Sequence, residues 1–221
     1  MFIQTKDGSY TLINKDLNVY YHSIHGALQE SLHVFIHSGI EYYLSKYKDV
    51  SQLDIFEMGF GSGLNCLLSY SYMENKTIPL RYVSIEKNPL ITFDTSTFIH
   101  SISKYIKYEP IFNQMHTAAW NESIRLNPLF ELHKINNDII IYQPEQLFDI
   151  IFFDAFAPSV QAELWNLEMM KKMYDCLKLN GILLTYCAQG QFKRNLKAAG
   201  FTIESIPGPP GKREMTRAHK L

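Results

Sequence analysis

The chain has 221 residues, and its hydrophobic content of 46% is enough for one continuous core. Its formal net charge of −1 excludes a globally polycationic surface, and no window approaches 18 uncharged apolar residues, so no membrane span or targeting segment is predicted. The three cysteines are odd in number, widely spaced and set in apolar sequence. This pattern favours reduced thiols in a reducing, cytoplasmic compartment over disulfides or a zinc site.

The first 48 residues form a predicted N-terminal extension. Residues 9–22 carry β-branched and aromatic residues on both sides of Asn14-Lys15-Asp16, which predicts a small hairpin. From Ala27 to Tyr47, apolar residues recur at helical spacing and predict a long amphipathic helix. We therefore assign residues 1–48 to a hairpin-plus-helix extension and residues 49–221 to the main domain.

Strand and helix patterns alternate through the main domain, and residues 105–146 are the least readable part. The predicted strands are Leu53 to Met58, Leu80 to Ile85, Leu132 to Ile135, Ile150 to Phe153 and Ile182 to Tyr186. The predicted helices lie near Leu64 to Met73, Leu90 to Ile102, Glu163 to Leu177 and Gln191 to Ala199. Short, nearly all-apolar strands between helices indicate a parallel sheet covered on both faces, a doubly wound α/β fold.

A glycine-rich turn follows the first strand of the main domain. In DIFEMGFGSGLNCLL, an apolar strand runs into Glu57, and Gly59, Gly61 and Gly63 lead into a helix. Glycines at such a turn let the backbone approach a ligand closely. A dinucleotide fingerprint needs a glycine at position 64, where this chain has Leu64. The E-x-G-x-G-x-G pattern instead resembles motif I of the class I methyltransferases, whose loop passes under the methionine part of S-adenosylmethionine.

Two acidic residues after later strands extend this predicted cofactor site. Glu86 ends the second strand, and an acid there can accept hydrogen bonds from both ribose hydroxyls. Asp138 lies in the turn after the third strand, where such folds often bind adenine, although an ordinary turn aspartate explains it nearly as well. The predicted cofactor-binding residues are Glu57, Gly59, Gly61, Gly63, Glu86 and Asp138.

The fourth strand leads to a further carboxylate. The sequence FDIIFFDAFAPSVQAELW places Asp154 at the carboxyl end of a buried strand, followed by a proline-containing loop and Trp165. In an open α/β sheet the ligand crevice lies outside the carboxyl ends of the strands. We therefore expect Asp154 to face the transferable methyl group.

Several motifs outside the general fold carry a family resemblance. DAFAP followed by ELW, together with GPPGKREMTRA at residues 208–218, resembles the methyltransferase half of the MnmC family of tRNA wobble-uridine modifiers. The stretch YYHSIHGALQESLHVFI is similar to the first segment of that family, so the resemblance covers roughly Asp7 to Ala218, and residues 105–146 match poorly. The resemblance implies S-adenosylmethionine as cofactor and the tRNA anticodon loop as partner. It also implies methylation of the amine of 5-aminomethyl-2-thiouridine, or its 2-oxo form, to the 5-methylaminomethyl product.

The resemblance is to the stand-alone methyltransferase form of the family, because the chain ends soon after KREM. Some members carry a flavin-dependent oxidase on the same chain, which makes the amine. Here the resemblance implies no flavin domain and a separate enzyme that supplies the aminomethyl intermediate.

Asp154 is the predicted catalytic residue, which hydrogen-bonds the amine nitrogen and aims its lone pair at the methyl group. Whether Asp154 also takes the proton stays open, since a carboxylate beside an ammonium raises the pKa of the amine. No metal is expected, because His22, His25 and His33 match no metal motif. The predicted substrate-binding residues stack on the flipped-out base, line the pocket or contact phosphates, and they are Tyr21, Glu30, Phe156, Trp165, Lys212, Arg213 and Arg217.

Basic residues are concentrated near the C-terminus, where residues 190–221 hold seven lysines and arginines against two glutamates. This segment forms either a phosphate-binding surface or a solvated helix face with a charged tail. Three other functions remain open: an aminopropyltransferase that uses a decarboxylated form of the cofactor, a small-molecule amine N-methyltransferase, and a catalytically silent RNA-binding protein. The complete set of glycines and acids weighs against the silent protein.

Overall fold

A sheet of eight strands forms the centre of the computed structural model, which describes residues 1–221, and a sheet of three short strands precedes it. The strands are β1 (Phe2–Gln4), β2 (Tyr10–Asn14), β3 (Val19–Tyr20), β4 (Leu53–Met58), β5 (Leu80–Glu86), β6 (Ser123–Asn127), β7 (Phe130–Asn136), β8 (Phe148–Phe153), β9 (Leu177–Thr185), β10 (Thr202–Pro207) and β11 (Glu214–His219). The helices are α1 (Ala27–Ser31), α2 (Tyr42–Lys46), α3 (Leu64–Met73), α4 (Thr95–His100), α5 (Glu109–Thr117), α6 (Leu167–Cys176) and α7 (Gly190–Ala198). None of them combines the length and the apolar character that crossing a bilayer requires.

The large sheet has the strand order β10-β11-β9-β8-β4-β5-β7-β6, and its five central strands, β9 to β7 in this order, are parallel. All residues of β4 and β8 are buried, because the sheet is covered on both faces. The chain moves from β4 to β5 on one side and places β8 on the other side of β4. The predicted doubly wound α/β fold is confirmed, and the switch in direction puts a ligand crevice outside the carboxyl end of β4.

Two hydrophobic clusters cover the two faces of the sheet. One includes side chains of the N-terminal helix, α3, α4 and α5, and the other includes side chains of α6 and α7. Successive side chains of β4 and β8 point to opposite faces of the sheet and contribute to both clusters, which explains why these strands are mostly apolar. The sheet therefore holds the carboxyl ends of its strands in fixed relative positions.

The N-terminal helix packs directly on the sheet. Residues 27–46 are helical throughout, because a π-helical stretch at Leu32–Glu41 joins α1 to α2. The ring of Phe35 lies 4.8 Å from the ring of Phe152 in β8. Gly39 approaches the same ring so closely that a Cβ atom there would lie 3.3 Å from it. The predicted hairpin and helix are both present, and their apolar face belongs to the core of the main domain. The boundary at residue 48 stays a proposal.

Two of the predicted helices are shorter than expected because of internal caps. The helix predicted from Leu90 begins only at Thr95, where the side chain of Asp94 accepts a hydrogen bond from the N–H of Thr97. The helix predicted over 163–177 is divided by Asn166, whose side chain caps α6 by accepting from the N–H of Met169. A 3₁₀ turn at Ala162–Trp165 precedes that cap.

Three strands of the large sheet were not predicted from the sequence. All three pair antiparallel with their neighbours. The strands β6 and β10 form the two edges of the sheet and are mostly exposed or half-buried, whereas β11 lies between β10 and β9. Their polar composition gives no alternating apolar pattern of the kind on which strand prediction depends. The basic segment near the C-terminus consequently comprises the helix α7 and the strands β10 and β11.

Candidate active site

A cleft opens where β4, β5 and β8 end, at the switch point of the sheet. The space in and directly in front of it is about 970 Å³, part of which is open solvent. Its lining includes the glycine turn after β4, the end of β5, the turn after β7 and Asp154 after β8. Tyr21 and His22, which follow the N-terminal hairpin, line it as well. The segments that the sequence suggests separately thus meet in one place.

The turn after β4 exposes its backbone to the cleft because its glycines adopt left-handed conformations. Gly59 and Gly61 have φ values of 96° and 50°, and both line the cleft. A Cβ atom on Gly61 would lie 3.2 Å from the ring of Tyr21. Gly63 has a different role from the predicted one. It begins α3 at a φ of 73° and lies against Phe60 and His116, away from the cleft lining.

Glu86 presents a fixed carboxylate at the end of β5. Its Oε2 accepts a hydrogen bond from the N–H of Gly61 at 3.2 Å, and its Oε1 accepts one from the N–H of Asn88 at 2.9 Å. Burial raises the pKa of Glu86, whereas these backbone hydrogen bonds oppose the rise. Each carboxylate oxygen can accept more than one hydrogen bond, so Glu86 retains capacity for two ligand hydroxyls.

Asp138 lines the cleft in the turn after β7, but its carboxylate already has partners. Its Oδ2 lies 2.8 Å from Nζ of Lys87, and its Oδ1 accepts from the N–H of Ile140 at 2.9 Å. The hydrogen bond from Lys87 lowers the pKa of Asp138. Ile139, in the same turn, is buried and adds an apolar wall to the cleft. Contact with adenine through Asp138 itself stays a prediction.

Asp154 lies at the carboxyl end of β8 and lines the cleft. Its Oδ2 accepts a hydrogen bond from Nδ2 of Asn65 at 2.9 Å. Burial raises the pKa of Asp154 to about 7, the carboxylate of Glu30 adds to the rise, and Asn65 and Lys212 oppose it. A carboxyl group that titrates near neutral pH can both take up and release a proton there, which is typical of a site that handles protons.

The comparison with protein families decides what this cleft serves. Residues 98–221, more than half of the chain, match a family described as S-adenosyl-L-methionine-dependent methyltransferase. The chain belongs to this family. S-adenosylmethionine is therefore its cofactor, and the enzyme is a methyltransferase.

Similar proteins share most of the length of this methyltransferase. It is 30% identical to the tRNA 5-methylaminomethyl-2-thiouridine biosynthesis bifunctional protein MnmC of Cupriavidus metallidurans, over 90% of this chain and 31% of that protein. It is 28% identical to the protein of the same name from Campylobacter hominis, over 94% of this chain and 31% of that protein. The chain spans about a third of the length of the curated relatives it matches. The crystal structure of MnmC2 from Aquifex aeolicus is 26% identical and covers 98% of this chain and 69% of its own, with a TM-score of 0.77.

The residues of the cleft fit S-adenosylmethionine. Gly59 and Gly61 leave the backbone bare where side chains would project into the cleft, and Glu86 offers acceptors for ribose hydroxyls. Ile139 supplies an apolar surface suited to a base. The bare turn would hold the methionine part, and Asp154 lines the same cleft.

An ion pair connects the N-terminal helix with the loop before β11 near Asp154. Nζ of Lys212 lies 2.5 Å from Oε1 of Glu30 and 3.8 Å from the ring centre of Tyr186. The other carboxylate oxygen of Glu30 accepts from the N–H of Ser23. Glu30 and Lys212, both predicted from the sequence as substrate-binding residues, thus bring opposite charges to the neighbourhood of Asp154.

The structure brings only two of the three predicted stacking residues to the cleft. Tyr21 and Phe156 both line it, with ring centres 5.3 Å apart in an edge-to-face arrangement. Trp165 is buried, and its Nε1 donates to the carbonyl oxygen of Phe156 at 2.8 Å. Its ring packs against Phe153 and Phe192. In this structure Trp165 supports the loop that carries Phe156, and its stacking on a nucleobase stays a prediction.

Two of the predicted basic substrate contacts, Arg217 and Arg213, lie in different environments in the structure. Arg217 is buried on β11, pairs with Glu204 at 2.9 Å and donates to the carbonyl oxygen of Ser38. Its guanidinium lies 3.4 Å from the ring centre of Tyr42. These partners occupy its guanidinium within the protein, and its contact with the substrate stays a prediction. Arg213 is exposed on the loop before β11 and forms no ion pair, so it stays a predicted phosphate contact.

Glu57 lies outside the cleft lining, although the motif predicts a cofactor contact. Its side chain is completely buried in β4, and its Oε2 accepts from Oγ of Ser84 at 2.7 Å. In this structure its side chain lies in the core, and contact between Glu57 and the cofactor stays a prediction.

Two residues of the site escaped sequence interpretation. Asn65 is a buried amide on the otherwise apolar first turn of α3, directly after the glycines, and this polar interruption was the available signal. His22, which the sequence suggests is structural or peripheral, lines the cleft. Burial lowers the pKa of His22 to about 4, so its imidazole is neutral at neutral pH.

Proposed function

We propose that this methyltransferase acts in the cytoplasm on tRNA and methylates the amine of 5-aminomethyl-2-thiouridine, or its 2-oxo form, at the wobble position. The product is the 5-methylaminomethyl nucleoside. Similarity to proteins named for the biosynthesis of this nucleoside, over at least 90% of the chain, supports the substrate class. The observation that carries the proposal is Asp154, a carboxyl group of near-neutral pKa at the acceptor end of the cleft.

The acceptor amine must lose a proton before its lone pair can react. A primary alkylammonium resembles lysine, with a pKa near ~10, so at neutral pH about three units, or about 4 kcal/mol, separate it from the neutral amine. S-adenosylmethionine supplies the methyl group and carries its own leaving group. Asp154 accepts a hydrogen bond from the amine nitrogen, orients its lone pair and takes up the proton.

The charges around Asp154 make proton uptake by this carboxylate feasible. An isolated carboxylate would raise the pKa of a neighbouring ammonium and hinder its deprotonation. Here Glu30 is paired with Lys212, so the positive charge of the lysine offsets one of the two carboxylates. Glu30 also raises the pKa of Asp154, which makes Asp154 a better proton acceptor than an exposed aspartate.

The rim of the cleft provides contacts for an anticodon loop. Tyr21 and Phe156 offer aromatic edges and faces to an unstacked base, as single-stranded RNA loops require. Arg213, exposed and without an ion pair, is a candidate phosphate contact beside Lys212. A separate enzyme is proposed to supply the amine.

The direct test measures methyl transfer to tRNA that carries 5-aminomethyluridine. The full chain, S-adenosylmethionine and this tRNA are incubated, and the wobble nucleoside is analysed by mass spectrometry. We expect conversion by the wild type and a loss of about 10²-fold or more in kcat for Asp154→Asn, with unchanged cofactor affinity. Asp175→Asn, on the exposed face of α6, is the matched control with normal turnover.

Two results would contradict the proposal. Unmodified tRNA after incubation with the wild type, combined with methylation of a small primary amine, would assign the enzyme to small-molecule substrates. Normal turnover of Asp154→Asn would remove this carboxyl group from the reaction.

A further inference from the structure

A lysine of α6 lies behind the turn that follows β7. Nζ of Lys172 donates hydrogen bonds to the carbonyl oxygens of Ile139, Ile140 and Tyr142, at 2.8, 2.8 and 2.9 Å. An ammonium group has three N–H donors, so this turn uses all of them. Lys172 is half-buried and forms no ion pair. The proposed methyl transfer makes no use of this lysine.

The same turn forms a wall of the cofactor cleft. Ile139 and Ile140 both line the cleft, next to Asp138. Ile139 is buried, whereas Ile140 is 46% exposed and offers its side chain to a ligand. The apolar surface that suits a base therefore depends on the path of the backbone through this turn.

The three carbonyl groups of the turn have no other partner in the protein. None of their oxygens accepts a hydrogen bond from a group other than Lys172. Carbonyl oxygens that converge on one point repel one another, because the negative ends of their dipoles lie close together. Backbone carbonyls arranged in this way are typical of sites that bind a bare cation. The ammonium group of Lys172 takes the position of that cation.

We propose that Lys172 is a positioning residue for S-adenosylmethionine, which gathers three carbonyl groups of the turn and thereby holds Ile139 and Ile140 in the wall of the cleft. Lys172 itself does not line the cleft, so it acts only through the turn. The proposal concerns binding of the cofactor. It does not depend on the identity of the methyl acceptor.

The beginning of the turn is fixed by other contacts, which the loss of Lys172 would leave in place. The carboxylate of Asp138 pairs with Lys87 at 2.8 Å and accepts from the N–H of Ile140 at 2.9 Å. Side chains of α6 such as Met170 and Met173 are buried in the core and keep the helix on the sheet. Replacement of Lys172 should therefore disturb the turn locally and leave the fold intact.

Calorimetry with S-adenosylmethionine on the full chain tests the positioning. Lys172→Met keeps an unbranched side chain that favours a helix but removes the three donors. Because hydrogen bonds from a charged group are strong, we expect the affinity to fall by about tenfold or more. Lys172→Arg should also bind more weakly, since a planar guanidinium cannot direct three N–H groups from one centre.

The neighbouring lysine provides the matched control for this measurement. Lys171 is exposed, and its Nζ pairs with Glu168 on the same helix at 3.1 Å. Lys171→Met removes the same charge and is expected to keep the affinity of the wild type. Unchanged affinity in Lys172→Met would overturn the proposal. Lys172→Leu replaces Lys172→Met if circular dichroism shows that the methionine variant is unfolded.

Hydrogen–deuterium exchange without the cofactor separates an effect on the turn from a general loss of stability. The N–H groups of Ile141 and Tyr142 donate to the carbonyl oxygen of Asp138 at 3.1 and 2.9 Å. We expect these two groups to exchange faster in Lys172→Met, while exchange in α6 and β4 stays at the rate of the wild type. Faster exchange in α6 with an unchanged turn would contradict the proposal, because Lys172 would then stabilise only its own helix.

Chemical rescue identifies the ammonium group as the active part of the side chain. Lys172→Ala lacks the atoms from Cγ to Nζ, and propylammonium has the same four heavy atoms. Lys172 also lines an open hollow beside α6, through which a small amine can enter. We expect propylammonium chloride to restore most of the cofactor affinity that Lys172→Ala has lost, whereas 1-propanol, which has a similar shape and no charge, should have no effect.

Two results of the rescue would contradict the cation site. Equal restoration by 1-propanol would mean that filled space, and not the charge, holds the turn. No restoration by propylammonium would mean that the carbonyl groups do not gather around an ammonium group. All of these measurements need only S-adenosylmethionine and no tRNA, so they give their result even if the proposed substrate is wrong.

Discussion

Lys134 shows how a single side chain of β7 supports the glycine turn. The side chain is buried, and its Nζ donates one hydrogen bond to the carbonyl oxygen of His116. It lies 4.6 Å from the ring centre of Trp120 and 5.4 Å from that of Phe60, a residue of the turn. His116 in turn hydrogen-bonds the carbonyl oxygen of Ser62 through Nε2. Aromatic rings and carbonyl groups, rather than a carboxylate, therefore balance this buried cation.

Replacement of this lysine by methionine should change the pH dependence of stability. Burial lowers the pKa of Lys134 from 10.5 in the unfolded chain to about 8. Between these values the unfolded chain binds the extra proton, so the stability of the wild type rises from pH 8 towards pH 10.5. Lys134→Met lacks this rise. The free energy of unfolding of Lys134→Met minus that of the wild type is therefore expected to be up to about 3 kcal/mol larger at pH 7 than at pH 10.

Urea unfolding of both proteins at pH 7 and pH 10 measures this difference in the free energy of unfolding. Lys104→Met, at an exposed position, should show the same difference from the wild type at both pH values. If the difference between Lys134→Met and the wild type is also the same at both pH values, the buried amine does not titrate in this range.

Individual residues of the site were predictable where a strand end fixed them. Asp154 and Glu86 end buried parallel strands, and such positions point to the same edge of the sheet. The polar atoms of Trp165 and Arg217 are taken up by Phe156 and Glu204, and the sequence does not reveal these contacts. Local composition identifies a residue type suited to a ligand, but only tertiary contacts decide whether it is free.

We propose that cofactor binding depends on the glycine turn, and Gly61 offers the clearest test. Its left-handed backbone disfavours alanine by about 1–2 kcal/mol, and the added methyl group would meet the ring of Tyr21 at the wall of the cleft. We expect Gly61→Ala to weaken S-adenosylmethionine binding by at least tenfold, about 1.4 kcal/mol, as measured by calorimetry.

A second glycine separates backbone strain from cleft shape. Gly8 has a φ of 87° and open space around the position of an added Cβ atom. Gly8→Ala should lose a similar amount of stability while it keeps its cofactor affinity. Equal losses of affinity in both variants would show that strain alone, and not the shape of the turn, weakens binding.

Elements of the interior were predictable, and elements of the edge were not. The strand β4 and the helix α3 match their predicted bounds, because long apolar runs are buried on all sides. The edge strand β10 and its neighbour β11 contain polar residues such as Glu204 and Arg217, whose pairing across the two strands is invisible in a linear pattern. Caps at Asp94 and Asn166 shorten helices at positions where the apolar periodicity continues.

At the scale of the whole molecule, the N-terminal extension and the sheet share one hydrophobic core. Phe35 and Gly39 contact Phe152, and Tyr43 donates a hydrogen bond to the buried Asp149 at 3.0 Å. The extension also contributes Tyr21, His22 and Glu30 to the cleft and its surroundings. The proposed substrate contacts and the folding of the core therefore depend on the same docking of residues 1–48 against the sheet.

Phe35→Ala should consequently destabilise the entire protein in one cooperative step. Removal of a buried phenylalanine ring costs about 3–5 kcal/mol, and each kcal/mol lowers Tm by about 2–4 °C in a chain of this length. Both tryptophans, Trp120 and Trp165, lie outside the extension, so their fluorescence reports the unfolding of the main domain. We expect fluorescence and far-ultraviolet circular dichroism to shift together by about 6 °C or more. His37→Ala, on the exposed side of the same helix, is the control and should leave Tm nearly unchanged. If Phe35→Ala did not shift the fluorescence transition, the main domain would fold without the extension.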